Sequence, residues 1–300
     1  MVTRFELVPR GPFSLAASAA FLEGFAPAAH RGGEPGHLHL AFVVEGGEAA
    51  AGVCLRQPDG AVAGEVFGDA DPAAARDQVA RILSLDVDGG AFPEVGRRDP
   101  VVGRLQEHWP GLRPVGFFSP YEAAAWALIV QRIRIVQAAR AKQRMAHDLG
   151  QAVDVHGDRR HAFPGPARLA DLDGYPGLTA QKVEWLRSLG EAAMAGRLDA
   201  APLRAMPRAH ALAALKELPG VGDFSAELVL LRGAGDPDHL PVHEPLLRQA
   251  VALAYDLGGP PDEGGLAALA DAWRPYRTWV VLLLRALLEE TTGEVRGTRG

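Results

Sequence analysis

Three groups of residues in this 300-residue chain have the types and spacing to do chemistry. Leu218-Pro219-Gly220-Val221-Gly222 separates two stretches of helical composition, Ala211 to Glu217 and Asp223 to Arg232. Two glycines and a proline allow a hairpin so tight that N–H groups at the start of the second helix stay unpaired and point outward. Such a helix start suits an anion, a DNA phosphate among them; a plain joint between two helices is the alternative reading. Further on, His239 and His243 stand four apart with Glu244 beside them. Zinc would accept those side chains, but no further ligand follows at zinc spacing, so no side-chain metal centre is expected there. The third group is basic: Arg132, Arg134, Arg140, Lys142 and Arg144 fall on one short stretch, either a face for phosphates or a solvated helix surface.

The balance of charge qualifies the phosphate readings. With 31 Lys+Arg against 37 Asp+Glu the net charge is -6, which by itself argues against a polyanionic partner. The acid excess lies wholly in residues 1–100, with 8 basic and 14 acidic side chains, whereas residues 101–160 hold 9 basic and 5 acidic ones. The single cysteine, Cys54, excludes an internal disulfide, a four-thiolate zinc site and an iron–sulfur cluster held by one chain. No run of about 18 apolar residues is present, so no membrane partner is expected. The opening MVTRFELVPRGPF puts charge and proline where a secretory leader would carry its apolar core, so a cytoplasmic location is expected.

The elements that must position these groups divide the chain near residue 100, and the length suits two domains. Residues 1–100 read as a small α+β domain. Its strand-length apolar runs are Leu38 to Val44, Ala51 to Gln57 and Ala61 to Phe67, punctuated by Gly46-Gly47 and Pro58-Asp59-Gly60 into an antiparallel sheet. Pro12 to Phe25 and Pro72 to Leu85 have helical composition and would cover one sheet face. Residues 101–300 read as all-α. Ser119-Pro120-Tyr121-Glu122 is a capping box with proline at the first helical position, opening a helical pattern that runs to Leu149. Further helices are predicted at 179–196, 209–217, 223–233, 244–257, 264–272 and 276–290.

The hairpin is followed by SAELVLLRGAGDPDHLPVHEPLLRQAVA, and this pairing resembles the helix-hairpin-helix DNA glycosylase superfamily. The segments AWALIVQRIRIVQAARAKQRMAHDLG, FPGPARLADLD, KVEWLRSLGEAAMAGRL and WRPYRTWVVLLLRALL are similar, in the same order, to its alkylpurine branch, the 3-methyladenine DNA glycosylase II type. The resemblance covers residues 101–290. Residues 1–100 resemble that branch's small TBP-like sheet domain in length and in PFSLAASAAFLEGF. It implies a monofunctional glycosylase of base excision repair, acting as a nucleoid-associated monomer on double-stranded DNA with damaged bases. Such an enzyme flips an alkylated purine out of the duplex and hydrolyses its glycosidic bond beside a carboxylate. The alternative is an inactive or weakly active damage-recognising DNA-binding protein on the same fold.

The residue roles implied by the resemblance turn on the aspartate that follows Pro-x in the family. Counting from Pro241 puts His243 at that position; counting back from Leu246-Leu247-Arg248-Gln249 puts Glu244 there. An imidazole can act as a general base but supplies no fixed negative charge, and a glutamate can. A cap by His243 and a helix-dipole role for Glu244 are the non-catalytic alternative. Phe21, Trp126 and Phe224 correspond to aromatic positions around the flipped base, while Leu228, Arg285 and, in the proline-anchored register, Glu244 replace stacking rings. That exchange makes the pocket more polar and brings Glu244 and Arg285 toward each other. Gln131-Arg132 corresponds to the pair whose second member wedges into the duplex. Gly220, Val221, Gly222, Phe224 and Ser225 would meet the phosphate backbone. Phe224 also stands where bifunctional relatives carry a Schiff-base lysine, so hydrolysis without a lyase step is implied. No cofactor is required; a Na+ or K+ ion on the carbonyls of Lys216, Leu218 and Val221 is the one implied.

Overall fold

The computed structural model describes residues 2–24 and 36–293. Four strands, β1 (Thr3–Leu7), β2 (Leu38–Val43), β3 (Ala50–Arg56) and β4 (Val62–Gly68), form an antiparallel sheet in the order β1-β4-β3-β2. The first of these was not apparent from the sequence, because in Thr3–Leu7 a buried residue appears only at its last position. Helices α1 (Leu15–Gly24) and α2 (Pro72–Ile82) pack on this sheet, and Leu22, Phe42, Val53, Leu55 and Ile82 form a dry core between the layers. Phe25, the predicted end of the first helix, lies outside the described residues.

The remainder is mostly helical, with one departure. Strands β5 (Ala152–Val155) and β6 (Asp158–His161) make a hairpin that pairs with itself and lies against β2, β3 and β4. A purely helical second half therefore does not hold. The strand signal is missing because Asp158-Arg159-Arg160-His161 is polar; its partners are polar groups of the sheet, His39 to Asp158 at 3.1 Å and Glu65 to His156 at 2.8 Å. Gly52 admits the hairpin: a Cβ there would stand 2.6 Å from Val155 and 2.7 Å from Val153.

Two apolar cores organise the helices. One joins α5 (Pro120–Val130), α6 (Ile135–Leu149), α8 (Ala180–Met194), α10 (Arg208–Lys216) and α11 (Asp223–Leu228), numbered after α7 (Pro166–Ala170) and α9 (Ala200–Ala205). The other joins α3 (Phe92–Arg98) and α4 (Pro100–His108) to α12 (Leu247–Ala254), α13 (Glu263–Asp271) and α14 (Arg277–Thr292) around Trp273 and Trp279. The helical pattern opened by Ser119, whose hydroxyl accepts the Glu122 N–H at 3.0 Å, is interrupted after Val130, where Arg132 takes a left-handed conformation with φ of 57°. Arg113, 1% exposed, links the two parts of the chain: it donates to the carbonyls of Arg10, Pro12 and Ser84 at 2.5, 2.8 and 3.0 Å and lies 5.1 Å from the Trp279 ring centre. Burial lowers its guanidinium pKa to about 10.

Candidate DNA-binding and active site

The hairpin sits between α10 and α11. Gly220 has φ of 82°, and a Cβ there would press on Trp185 and Leu128 at under 3 Å, so the turn is closed by glycine for both conformation and space. The Val221 N–H donates to the Leu218 carbonyl at 3.0 Å, and α11 begins directly afterwards with Gly222 at its N-cap. No side chain caps that helix start, which leaves its first N–H groups available to an anion. Ser225 is buried, while Phe224 is 40% exposed beside the hairpin. Lys216 pairs with Asp223 at 2.8 Å, and this contact and the nearby His243 hold the Asp223 carboxyl below its usual range.

The turn after α5 is attached to the hairpin. Gln131 Nε2 donates to the Gly220 carbonyl at 2.8 Å. Lys182, buried on α8, donates to the carbonyls of Ile129 and Gln131 at 2.6 and 2.7 Å, a cation closing the C-terminus of α5. Arg132 thus projects into solvent from a turn fixed on both sides, with Ile135 and Val136, both more than 40% exposed, just beyond it. Trp126 is buried in the core behind the turn, and Leu228 packs against the same core.

His243 and Glu244 lie ahead of α12, which starts at Leu247 rather than at the predicted 244 because Pro245 has no N–H to donate and Glu244 occupies the preceding turn. The His243 ring is about half exposed. Its Nδ1 lies 3.0 Å from Glu227 Oε1, and its backbone N–H donates to Glu227 Oε2 at 3.1 Å. His239 Nε2 approaches the same carboxylate at 3.3 Å. Glu227 is only 4% exposed; burial favours its neutral form, but the contacts from His239 and His243 prevail and hold its pKa below the ordinary glutamate value. The two histidines therefore gather on a buried carboxylate that the sequence reading passed over. Its one signal was a charge set directly before the apolar run Leu228-Val229-Leu230-Leu231. Directly after it the chain forms a π-helical turn, Val229–Gly233, a distortion that often accompanies functional sites.

Glu244 faces a different partner. Its Oε1 lies 2.6 Å from Arg285 Nη1 on α14, both side chains are about four-fifths buried, and Arg285 also reaches Glu289 at 3.3 Å. Glu244 Oε2 is buried with no hydrogen-bond partner among the described residues. Burial raises the Glu244 pKa, against the opposing effects of Arg285 and of the Leu246 and Leu247 backbone amides at the opening of α12. Phe21, from α1, completes this group: the Arg232 guanidinium lies 5.4 Å from its ring centre, and Arg232 feels the charges of Glu289 and Arg285. The polar group thus sits where the sheet part of the chain meets α14.

The chain has relatives in sequence and in fold. No protein-family model matches the chain. It is 32% identical over 234 residues to the probable bifunctional transcriptional activator/DNA repair enzyme AlkA of Mycobacterium tuberculosis, a match covering 76% of this chain and 45% of that protein. It is 28% identical to DNA-3-methyladenine glycosylase 2 of Escherichia coli, over 60% of this chain and 62% of the relative. The match thus spans less than half of the mycobacterial protein and under two thirds of the other. The structure of a 3-methyladenine DNA glycosylase from Archaeoglobus fulgidus superposes with a TM-score of 0.78 at 20% identity, covering 96% of this chain and 99% of that one. A Clostridium acetobutylicum 8-oxoguanine glycosylase/lyase bound to double-stranded DNA gives 0.66 at 14% identity, over 97% and 98%. Fold, hairpin and sequence together place the chain in the helix-hairpin-helix DNA glycosylase superfamily. Within it, the relatives named here by sequence are a DNA repair enzyme and a 3-methyladenine glycosylase.

Proposed function

We propose that this protein is a monofunctional DNA glycosylase that flips alkylated purines out of duplex DNA and hydrolyses their N-glycosidic bonds from an atypical site. The observation that carries the proposal is Glu244. It is a buried carboxylate with one oxygen unpartnered, one residue beyond an imidazole whose Nδ1 is held by Glu227. A carboxylate there stabilises positive charge developing on the sugar. With Nδ1 donating to Glu227, His243 keeps its Nε2 lone pair for a proton of the attacking water, as a general base. Leaving-base departure and water attack then balance: the C–N bond breaks with its electron pair going to the cationic alkylated base, which leaves neutral, a C–O bond forms between water and the sugar carbon, and the water proton passes to the imidazole. Phe224 at the lysine position of lyases leaves no amine to form a Schiff base there.

The amides of Gly222 and Ser225 at the start of α11 hold a backbone phosphate that the Gly220–Val221 turn lets approach, and Arg132 fills the gap left by the extruded base. Phe21, Trp126, Phe224 and Leu228 bound the base pocket, with Arg285 as its polar wall. At the hairpin, the Leu218 carbonyl keeps a second lone pair after accepting the Val221 N–H, so with the carbonyls of Lys216 and Val221 it fits a Na+ or K+ ion. Such an ion adds positive charge facing the phosphate.

A second reading has its own observation. Arg285 neutralises Glu244 at 2.6 Å, and a neutralised carboxylate favours recognition of damage over hydrolysis. The test is release of free base from duplexes carrying alkylated, deaminated or bulky purines. Release of an alkylated purine supports the glycosylase; tight binding to every duplex without release supports the recognition protein.

A further inference from the structure

Away from the hairpin, the outer face of the sheet carries a row of metal-ligating side chains. His39 on β2 pairs in register with Cys54 on β3, and Cys54 with Glu65 on β4, so the three project from neighbouring strands on one face. His37 lies two residues before His39 and so shares that face. One ligand atom from each of His37, His39 and Cys54 lies within 4.8 Å of the others. Cys54 is 1% exposed and His39 6%, so the cluster is built into the layer between the sheet and the β5–β6 hairpin.

From this we infer that His37, His39 and Cys54 bind a zinc ion that fastens the hairpin to the sheet. Three features favour an ion over simple packing. First, His39 Nε2 is buried and has no hydrogen-bond partner among the described residues, a cost for a polar atom unless something occupies the space it faces. Second, the opposite ring nitrogen, Nδ1, is 3.1 Å from Asp158 Oδ2, which Arg160 in turn holds at 2.7 Å. A carboxylate on Nδ1 fixes the proton there and presents Nε2 as a lone pair, the arrangement that orients zinc-binding imidazoles. Third, Cys54 Sγ and His37 Nδ1 are 3.5 Å apart. A tetrahedral ion at about 2.3 Å from sulfur and about 2.1 Å from nitrogen sets those atoms about 3.6 Å apart.

The mixed sulfur and imidazole set selects a borderline or soft ion over calcium or magnesium. Glu65 is already engaged by Arg4 at 2.9 Å and His156 at 2.8 Å, so solvent takes the fourth position. Binding displaces the Cys54 thiol proton, so affinity rises with pH. Because Asp158 belongs to the hairpin and His39 to the sheet, the ion braces the contact between the two halves of the sequence.

The experiment is elemental analysis and calorimetric titration of the full chain with Zn2+ alone, followed by substitution with Co2+. One zinc per chain, raised thermal stability and a thiolate-to-cobalt charge-transfer band are expected. Cys54→Ala and His37→Ala should lose the stoichiometric zinc, and Asp158→Asn should weaken it about 10–100-fold. His37 is only partly buried, so its variant keeps the test valid if Cys54→Ala misfolds. Wild-type chain that takes up no zinc, gives no sulfur-to-cobalt band, or retains its zinc in Cys54→Ala would overturn the assignment.

Discussion

The backbone N–H and the ring Nδ1 of His243 both engage the Glu227 carboxylate, at 3.1 and 3.0 Å. Two contacts to one buried group fix both the position of residue 243 and the tautomer of its ring. Glu227→Gln keeps the shape but removes the charge and one acceptor. Excision by this variant should fall about 10–100-fold with DNA affinity unchanged, and unfolding free energy should drop by about 1–3 kcal/mol. Single-turnover kinetics alongside urea denaturation separates the two effects. Unchanged excision in a destabilised variant would make Glu227 a structural group only.

Burial lifts the Glu244 carboxyl above the usual glutamate range. The ionised form is the one that stabilises a developing cation, so the rate should rise with pH through that raised value and reach its plateau above it. Stability runs the other way: a carboxyl raised by folding contributes most below its unfolded pKa, and that contribution is lost as pH rises through the folded one. Glu244→Gln should abolish the acid limb of the rate profile and flatten this part of the stability profile. Excision rates and urea denaturation, each measured from about pH 4 to about pH 8 in ~1-unit steps, check the rate profile and the stability profile in turn.

How much of this was legible in the sequence differs from element to element. The strands β2, β3 and β4 and most of the later helices stand within a few residues of their predicted places, because short apolar runs, helical composition and Gly or Pro punctuation report burial directly. The β5–β6 hairpin was not legible, since its polar residues are satisfied by His39 and Glu65, more than 90 residues earlier in the chain. Glu227 and Lys182 were missed for the same reason: a buried charge reads as surface until its partners are in view. The hairpin itself was plain, because Gly220, at φ of 82°, satisfies a local requirement of the backbone.

Arg132 stands at φ of 57° on a turn tied down by Gln131 and Lys182. Arg132→Ala should weaken binding to damaged duplex. If the side chain enters the base stack, the slope of log K against log salt should stay constant; if it contacts a phosphate, the slope should fall by about 1. The account expects the constant slope, and fluorescence anisotropy across a salt series distinguishes the two.

Arg113 is fully buried and gives its hydrogen bonds to carbonyls, with Asp88 acting on it through charge alone. Arg113→Lys keeps the charge but cannot span those acceptors, so it should cost about 2–4 kcal/mol. Urea denaturation measures it; a loss below about 1 kcal/mol would show that the link can relax.

The central claim is that this chain breaks a glycosidic bond with residues 243 and 244. Single-turnover excision of 3-methyladenine, 7-methylguanine and a bulky N-alkyl purine should be compared between wild type, His243→Ala and Glu244→Gln, with duplex binding measured on the same samples. The account predicts release of at least one base by the wild type, and loss of about 100-fold or more in each variant with binding retained. Release that survives both substitutions, or tight wild-type binding with no release, would contradict it.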